Sequence, residues 1–451
     1  MRTYLLAGAA AGLVAVTGPA PADRDLADSF AADTTRPTSS AWLGLLPDGE
    51  TKRRFILDCT GCHQFDTRMA MPQGKPRTRS EWAAAVTRML GYAGPTTGFP
   101  VISAAQSPDS TAAWVHTALA ARTPSRPAAS RVPRRPGTVT EFDMPVPTDL
   151  PHDLAVERSG RVIVTGMFSH VMLALDPASG AIERVEIPVE KANPRAIEID
   201  SAGRWWVVLG GPGQVARFDG LRWDTFEVGM YAHSIAVDRA GAAWVNGHFT
   251  RSPELVAEVA PSGSVRKVEL PPHPTMADVP GGPIPYELRA GADGRIWMSE
   301  LQGNRIVSLD PRTGATAAYT LPTSYSGPRR FDIDARGILW IPAYSAGLLV
   351  RFDPMTREFR EIPLPIRDAL PYVVRVDQQT GTVWIGTGGA DELLAYEPAS
   401  GRFEAVQLPS RGALVRHLAI DPRTRDVWLA YGESPGKLPA RIARFSPRSR
   451  P

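Results

Sequence analysis

Cys59-Thr60-Gly61-Cys62-His63 places two thiols three positions apart with an imidazole directly after the second, and these are the only two cysteines in 451 residues. The grouping suits covalent attachment of a c-type haem: each thiol adds to a vinyl group to give a thioether, and the histidine supplies one axial iron ligand. A dithiol redox pair does not need a histidine at that place, and a zinc site would need two further ligands close by. A disulfide within the motif would close too small a loop to constrain the unfolded chain much. The spacing therefore predicts one covalent haem c on Cys59 and Cys62, with His63 as the proximal ligand.

The elements around the motif read as helical and short. Glu50 to Leu57 leads into it as a helix, Ser80-Glu81-Trp82 opens a second with Trp82, Val86, Met89 and Leu90 along one face, and a third runs from Asp109 to Ala121. Together they predict a small all-α domain over 41–121, in which a haem replaces much of the core that so few residues cannot build. The entry helix and the methionine that follows a tryptophan on a helix resemble short c-type cytochromes, and the resemblance implies Met89 as the distal iron ligand. Met71, followed by Pro72, is the second candidate, with Met69 and His116 behind it. The alternative for Met89 is an ordinary core position, the usual place of a methionine at helical spacing.

The chain opens with a secretion signal: Arg2, an apolar run from Leu5 to Val16, and an Ala20-Pro21-Ala22 cleavage site, giving a signal peptide over 1–22. The run is short of the ~20 residues that span a bilayer, and no later segment is long and apolar enough. A periplasmic or secreted location follows, consistent with haem attachment outside the cytoplasm. The net charge of +3 gives no argument for nucleic acid, and 43% hydrophobic residues allow a large core. Between the two halves, Arg122, Arg126, Arg131, Arg134 and Arg135 alternate with Pro124, Pro127, Pro133 and Pro136. This stretch, 122–137, reads as a stiff, solvated linker at a domain boundary.

From 138 onward the chain repeats. Each unit carries an apolar strand, a Gly turn, a strand centred on Trp, and a polar–apolar strand ending in Leu-Pro or Ile-Pro. Trp206, Trp244, Trp297, Trp340, Trp384 and Trp428 mark the units, with Ile163 in the same place in the first. The period is that of a four-stranded propeller blade, and seven units fit between His152 and the C-terminus. The last unit lacks its closing strand. Thr138 to Pro145 matches the closing strand of other units, so 138–145 is predicted to complete the ring and leave no open edge.

These repeats, written Pro-x-x-Ile-x-Val-x-x-x-Gly-x-x-Trp and including Glu300-Leu301-Gln302-Gly303-Asn304-Arg305-Ile306, resemble the streptogramin B (virginiamycin B) lyase propellers over 138–451. The resemblance implies seven blades and an elimination that opens a cyclic depsipeptide with a His base and a Mg²⁺ ion near an acidic residue. The family pairs a His at the start of a blade with a Glu three residues after that blade's Trp. Here Glu300 stands in the Glu position, but its partner position is Tyr286. His152 and His233 occupy the His column in two other blades, where Gly166 and Gly247 stand in place of the Glu. The pairing is not kept.

The same column, read through all seven blades, is His152, Arg195, His233, Tyr286, Arg329, Tyr372 and Arg416. It should point into the central funnel, with Glu300, His248, Tyr344 and Tyr431 at or beside the next ring, while His170, His273 and His417 read as ordinary surface or strand residues. Such a column is either a solvated channel lining or a site for an anionic or peptide-like ligand. Three functions stay open: haem-based electron transfer with the propeller holding a substrate or redox partner; a Mg²⁺-dependent carbon–oxygen lyase, in which His152, His233 and Glu300 would be catalytic; and a docking module that places the haem against a partner.

Overall fold

The structure is a computed structural model that describes residues 2–5, 29–120, 122–124, 131–434, 438 and 440–448. The predicted signal peptide lies outside these residues except for Arg2–Leu5, which pair antiparallel with Arg222–Thr225 on the outer strand of the second blade.

Residues 137–447 form a seven-bladed β-propeller, each blade closing as four antiparallel strands. The marker tryptophans explain the repeat. Trp206, Trp244 and Trp428 are at most 1% exposed, wedged where neighbouring blades meet. In three blades the indole N–H donates to the Asp that opens the preceding turn: Trp206 to Asp200 (3.0 Å), Trp244 to Asp238 (2.9 Å) and Trp340 to Asp334 (3.2 Å). The same carboxylates accept backbone N–H groups of the turn, so one side chain fixes both turn and strand. The turn glycines take positive φ, as at Gly203 (83°) and Gly241 (82°), a region open to glycine without steric cost.

The final blade closes as expected. Gly137–Asp143 pairs in register with Arg441–Pro447, from Gly137 opposite Pro447 to Asp143 opposite Arg441. The innermost strand of six blades carries a register shift at its second position, between Pro151 and Leu154, Pro194 and Ala196, Ala232 and Ile235, Pro285 and Leu288, Pro371 and Val373, and Val415 and His417. A bulge re-aims the side chain it contains. Here each of the six bulges holds a residue of the funnel column, His152, Arg195, His233, Tyr286, Tyr372 or Arg416, while Arg329 of the fifth blade stands just ahead of its short inner strand Asp332–Ile333.

Ahead of the propeller lies a layer of helices, the longest being Glu50–Cys59, Arg79–Ala93 and Pro108–Leu119. Thr78 and Glu81 form a reciprocal capping box on the second, and Ser107 caps the third with Pro108 behind it. The layer does not hang free. Trp42, Leu43, Phe55 and Leu57 share one hydrophobic core with Leu301, Tyr344, Leu370 and Tyr372 of the propeller. Among the described residues no helix is long and apolar enough to cross a membrane.

Over residues 132–135 the arginine–proline stretch differs from the solvated spacer its composition predicts. Val132 is buried, and residues 133–135 run along the outer strand of the sixth blade, with Ala405 N donating to Pro133 O (2.8 Å) and Arg135 N to Ala405 O (2.9 Å). Arg134 pairs with Glu392 (3.0 Å), and Arg135 with Glu397 (2.7 Å) and Glu404 (2.8 Å). These two arginines find carboxylates more than 250 residues away in sequence, and an extended Pro-rich backbone fits a sheet edge.

Candidate functional site: two adjoining cavities

The first cavity, about 1040 Å³, opens within the helical layer. Cys59, Cys62 and His63 line it, as do Phe55, Phe65 and Trp82. Trp82, Ala85, Val86, Met89, Leu90 and Ala93 also line it; their spacing is one face of the helix Arg79–Ala93. Ala85, Val86, Met89 and Leu90 on that face are only half-buried, an apolar wall turned toward the space. Both cysteines are free thiols. His63 Nδ1 lies 3.2 Å from Gln64 O, so the Nδ1–H tautomer is favoured and Nε2 keeps its lone pair. Of the other expected iron ligands, Met69 lines the same cavity, Met71 packs on the helical core instead, and His116 Nδ1 sits 3.3 Å from Arg77 O.

The second cavity, about 300 Å³, lies at the propeller axis, and all seven column residues line it: His152, Arg195, His233, Tyr286, Arg329, Tyr372 and Arg416. The sequence does not reveal what roofs it. Leu57, Asp58, Gly61, Cys62, Tyr92, Phe99 and Val101 come down from the helical layer to cover the axis. Arg416 donates to Gly61 O (2.9 Å) and Cys62 O (2.6 Å), Ser434 N to Cys62 O (2.8 Å), and Tyr344 OH to Thr60 O (2.9 Å). Asp58, Cys62, Tyr92, Val101 and Ser434 line both cavities, so the Cys-x-x-Cys-His loop forms the wall between them.

Within this chamber the rings of His152 and His233 meet at 5.1 Å and those of His233 and His248 stack at 4.4 Å. Their Nδ1 atoms face backbone carbonyls of Arg195 (2.6 Å), Tyr286 (2.8 Å) and Pro285 (2.8 Å). Burial, reinforced by Arg195, pushes His248 down to about 3 and holds His152 well below its ordinary value. For His233 burial leads, followed by the neighbouring His248. All three are neutral imidazoles near pH 7. On the other side Tyr286 OH and Tyr372 OH lie 2.5 Å apart, Arg329 donates to Tyr286 (2.7 Å) and Arg416 to Tyr372 (3.1 Å). Burial works to raise the Tyr372 phenol, but Arg416, Arg329 and Arg330 outweigh it and bring it to about 8.

Glu300 is elsewhere. It is fully buried, accepts from Arg305 Nε (2.6 Å), and shares that arginine with Glu254 (3.0 Å); it does not line the chamber. The structure therefore does not gather His152, His233 and Glu300 into one set. Tyr431 bonds Glu141 on the closing strand, away from the axis. His417, expected to be an ordinary strand residue, lies 2.6 Å from Asp153 in a second axial layer where Arg330 and Arg375 also meet Glu287. His273 bonds Gly303 O and His170 accepts from Asn193 N, both as local structural residues. No group of three His, Cys, Asp or Glu side chains among the described residues is placed to hold a metal ion.

No protein-family model matches the sequence, and no curated protein matches it. Solved structures do match the fold. A streptogramin B lyase is similar at 19% identity with a TM-score of 0.61, covering 69% of this chain and 98% of that one. The virginiamycin B lyase of Staphylococcus aureus, in selenomethionine form, is similar at 17% identity, TM-score 0.60, covering 69% and 99%. A catalytically inactive variant of that lyase with quinupristin gives 18% identity, TM-score 0.60, and the same shares. The class is a seven-bladed β-propeller of virginiamycin B lyase-like fold. At these identities the likeness is one of fold.

Proposed function

We propose that this chain is an exported c-type haem protein in which the helical layer forms a small cytochrome c domain, acting in electron transfer, with the propeller chamber holding a substrate or part of a redox partner. One observation carries the reading: Cys59, Cys62, His63 and Met89 line a single apolar cavity. Its donor set fits the group, with two free thiols for the thioethers, a histidine whose tautomer leaves Nε2 available, and a thioether on the wall. Its volume of about 1040 Å³ is at the upper end of the ~300–1,000 Å³ of ligand pockets. Cys59 and Cys62 would anchor the haem, His63 would be the proximal ligand and Met89 the distal one, with Met69 the neighbouring alternative. The haem would supply one-electron transfer.

The chain's own residues define the rest. Phe55, Phe65, Trp82 and Val86 give the cavity an apolar lining, and an apolar surround is one of the levers that sets a haem potential. Arg416 and Ser434 hold the carbonyls of Gly61 and Cys62, so the loop between the two cavities is fixed from the propeller side. A ligand in the chamber would lie against Cys62 itself.

The lyase reading is weaker, since Glu300 is committed to Arg305 and lies outside the chamber; Mg²⁺ would belong to that reading alone. The test is the absorption spectrum of protein matured with haem-attachment machinery, oxidised and reduced, for wild type and Met89→Ala. A c-type reduced spectrum, with the Met–iron charge-transfer band of the oxidised form lost in the variant, is expected. Absence of covalent haem from the wild-type protein would overturn the proposal.

A further inference from the structure

We propose that the axial chamber is a binding site for one small oxyanion or carboxylate, held by Arg195, Arg329 and Arg416. This names the ligand class for the chamber assigned above to a substrate; it rests on that assignment and not on haem attachment.

Arg195, Arg329 and Arg416 are 5%, 3% and 4% exposed, and among the described residues no carboxylate forms an ion pair with any of them. Arg195 donates to Tyr231 OH, Arg329 to Tyr286 OH, and Arg416 to Tyr372 OH and to three backbone carbonyls. The Nε atoms of Arg195 and Arg329 are buried with no hydrogen-bond partner. Buried charges in folded proteins are paired, because an isolated one is costly to desolvate.

No carboxylate of the described neighbourhood bonds to these arginines. Asp58, the one carboxylate among the described residues that line the chamber, bonds instead to Ser103 N (3.1 Å), Ser103 Oγ (2.8 Å), Gln106 (2.7 Å) and Gln302 (2.7 Å). The layer beneath balances itself, Arg330 against Asp153 (3.3 Å) and Glu287 (3.4 Å), Arg375 against Glu287 (3.1 Å). The histidines are neutral. Three guanidinium groups thus face a space of about 300 Å³, the small end of ligand sites. Arg195 and Arg329, whose Nε atoms are unpartnered, offer the planar fork that matches a carboxylate or tetrahedral oxyanion, while Arg416, bonded through all three nitrogens, adds its charge. The Tyr286, Tyr372 and Phe99 rings around them suit a small organic acid as well as an inorganic ion.

The experiment is calorimetric titration of the full-length protein, dialysed into low-salt buffer, with acetate, lactate, sulfate and phosphate in separate runs. One saturable site is expected for at least one of these, weakened at least tenfold in Arg195→Gln and in Arg329→Gln and unchanged in Arg367→Gln, a surface arginine 60% exposed. Binding confined to acetate and lactate identifies a carboxylate ligand; binding confined to sulfate and phosphate identifies an inorganic one. Should the variants fail to fold, the thermal midpoint of the wild-type protein must still rise with the concentration of the bound anion. No saturable binding of any of the four, or binding equal in wild type and both chamber variants, overturns the inference. Failure here with an intact haem spectrum would leave the haem assignment standing, and the reverse result would leave the chamber standing.

Discussion

Arg68→Met should unseat the helical layer from the propeller. Arg68 donates from Nε to Asp66 Oδ2 (2.9 Å), from NH2 to Asp66 Oδ2 (2.6 Å) and Glu433 Oε1 (2.6 Å), and from NH1 to Glu433 Oε2 (2.9 Å). The side chains of Asp66 and Glu433 are 3% and 1% exposed, one on each side of the interface. Removing one partner of a buried pair costs about 3–5 kcal/mol, and here two carboxylates lose the same cation, so the upper half of that range applies. Glu433→Gln is milder, at about 1–2 kcal/mol, because Arg68 keeps Asp66 and only charge-assisted bonds are weakened. The loss in Arg68→Met should also shrink at low pH. Burial already pushes the Asp66 carboxyl up, and Arg68 is the main influence opposing it. Without Arg68 that folded-state value climbs further above the unfolded one, so the stability it contributes is present at low pH and lost as pH rises. Urea unfolding followed by tryptophan emission, at pH 5 and pH 7, measures both effects. A variant within about 1 kcal/mol of wild type at pH 7, or a deficit equal at the two values, would refute the reasoning.

Two further outcomes follow from buried groups. Burial, then the neighbouring Glu300, raises the Glu254 carboxyl to about 9 against the pull of Arg305, so its stabilising contribution is complete below pH ~4.5 and is lost as pH climbs toward 9. Glu254→Gln should flatten the stability–pH curve over that window, by at most about 1.4 kcal/mol per pH unit, measured by thermal unfolding across the range. Tyr344→Phe removes the phenol that donates to Thr60 O and lies 2.9 Å from Thr60 Oγ1, while Thr60 Oγ1 keeps its bond to Ile56 O. A loss of about 1–2 kcal/mol is expected, with faster amide exchange at Thr60 as its local signature; unchanged exchange there would count against the contact.

The blades were legible because the repeat writes each structural necessity in the same place: a tryptophan between sheets, a glycine where φ must be positive, alternation on the strands. The funnel column was legible for the same reason. Every one of its seven residues lines the chamber, since a repeat carries equivalent positions to equivalent places. The second axial layer was not. Asp153, Glu287, Arg330, Arg375 and His417 come from different blades and become partners only around the axis, so no local pattern joins them. For four of them the signal is position: Asp153, Glu287, Arg330 and His417 each directly follow a column residue, whereas Arg375 stands three places after Tyr372. The docking of Arg134 and Arg135, and the roof over the chamber, escaped for the same physical reason: both are long-range contacts of segments whose composition describes only their solubility.

The strand Gly137–Asp143 has a consequence for the order of assembly. It belongs to the start of the ring, yet it completes the blade made by the end of it. That blade supplies Arg416 to the chamber, Glu433 and Leu438 to the larger cavity, and Ser434 to both. The helices that carry the cysteines are made early, but neither cavity has all its walls until the final blade is stitched from its two ends. Closure of the ring and completion of both sites are thus a single event, and a chain that misfolds at its last strand would lose both cavities at once.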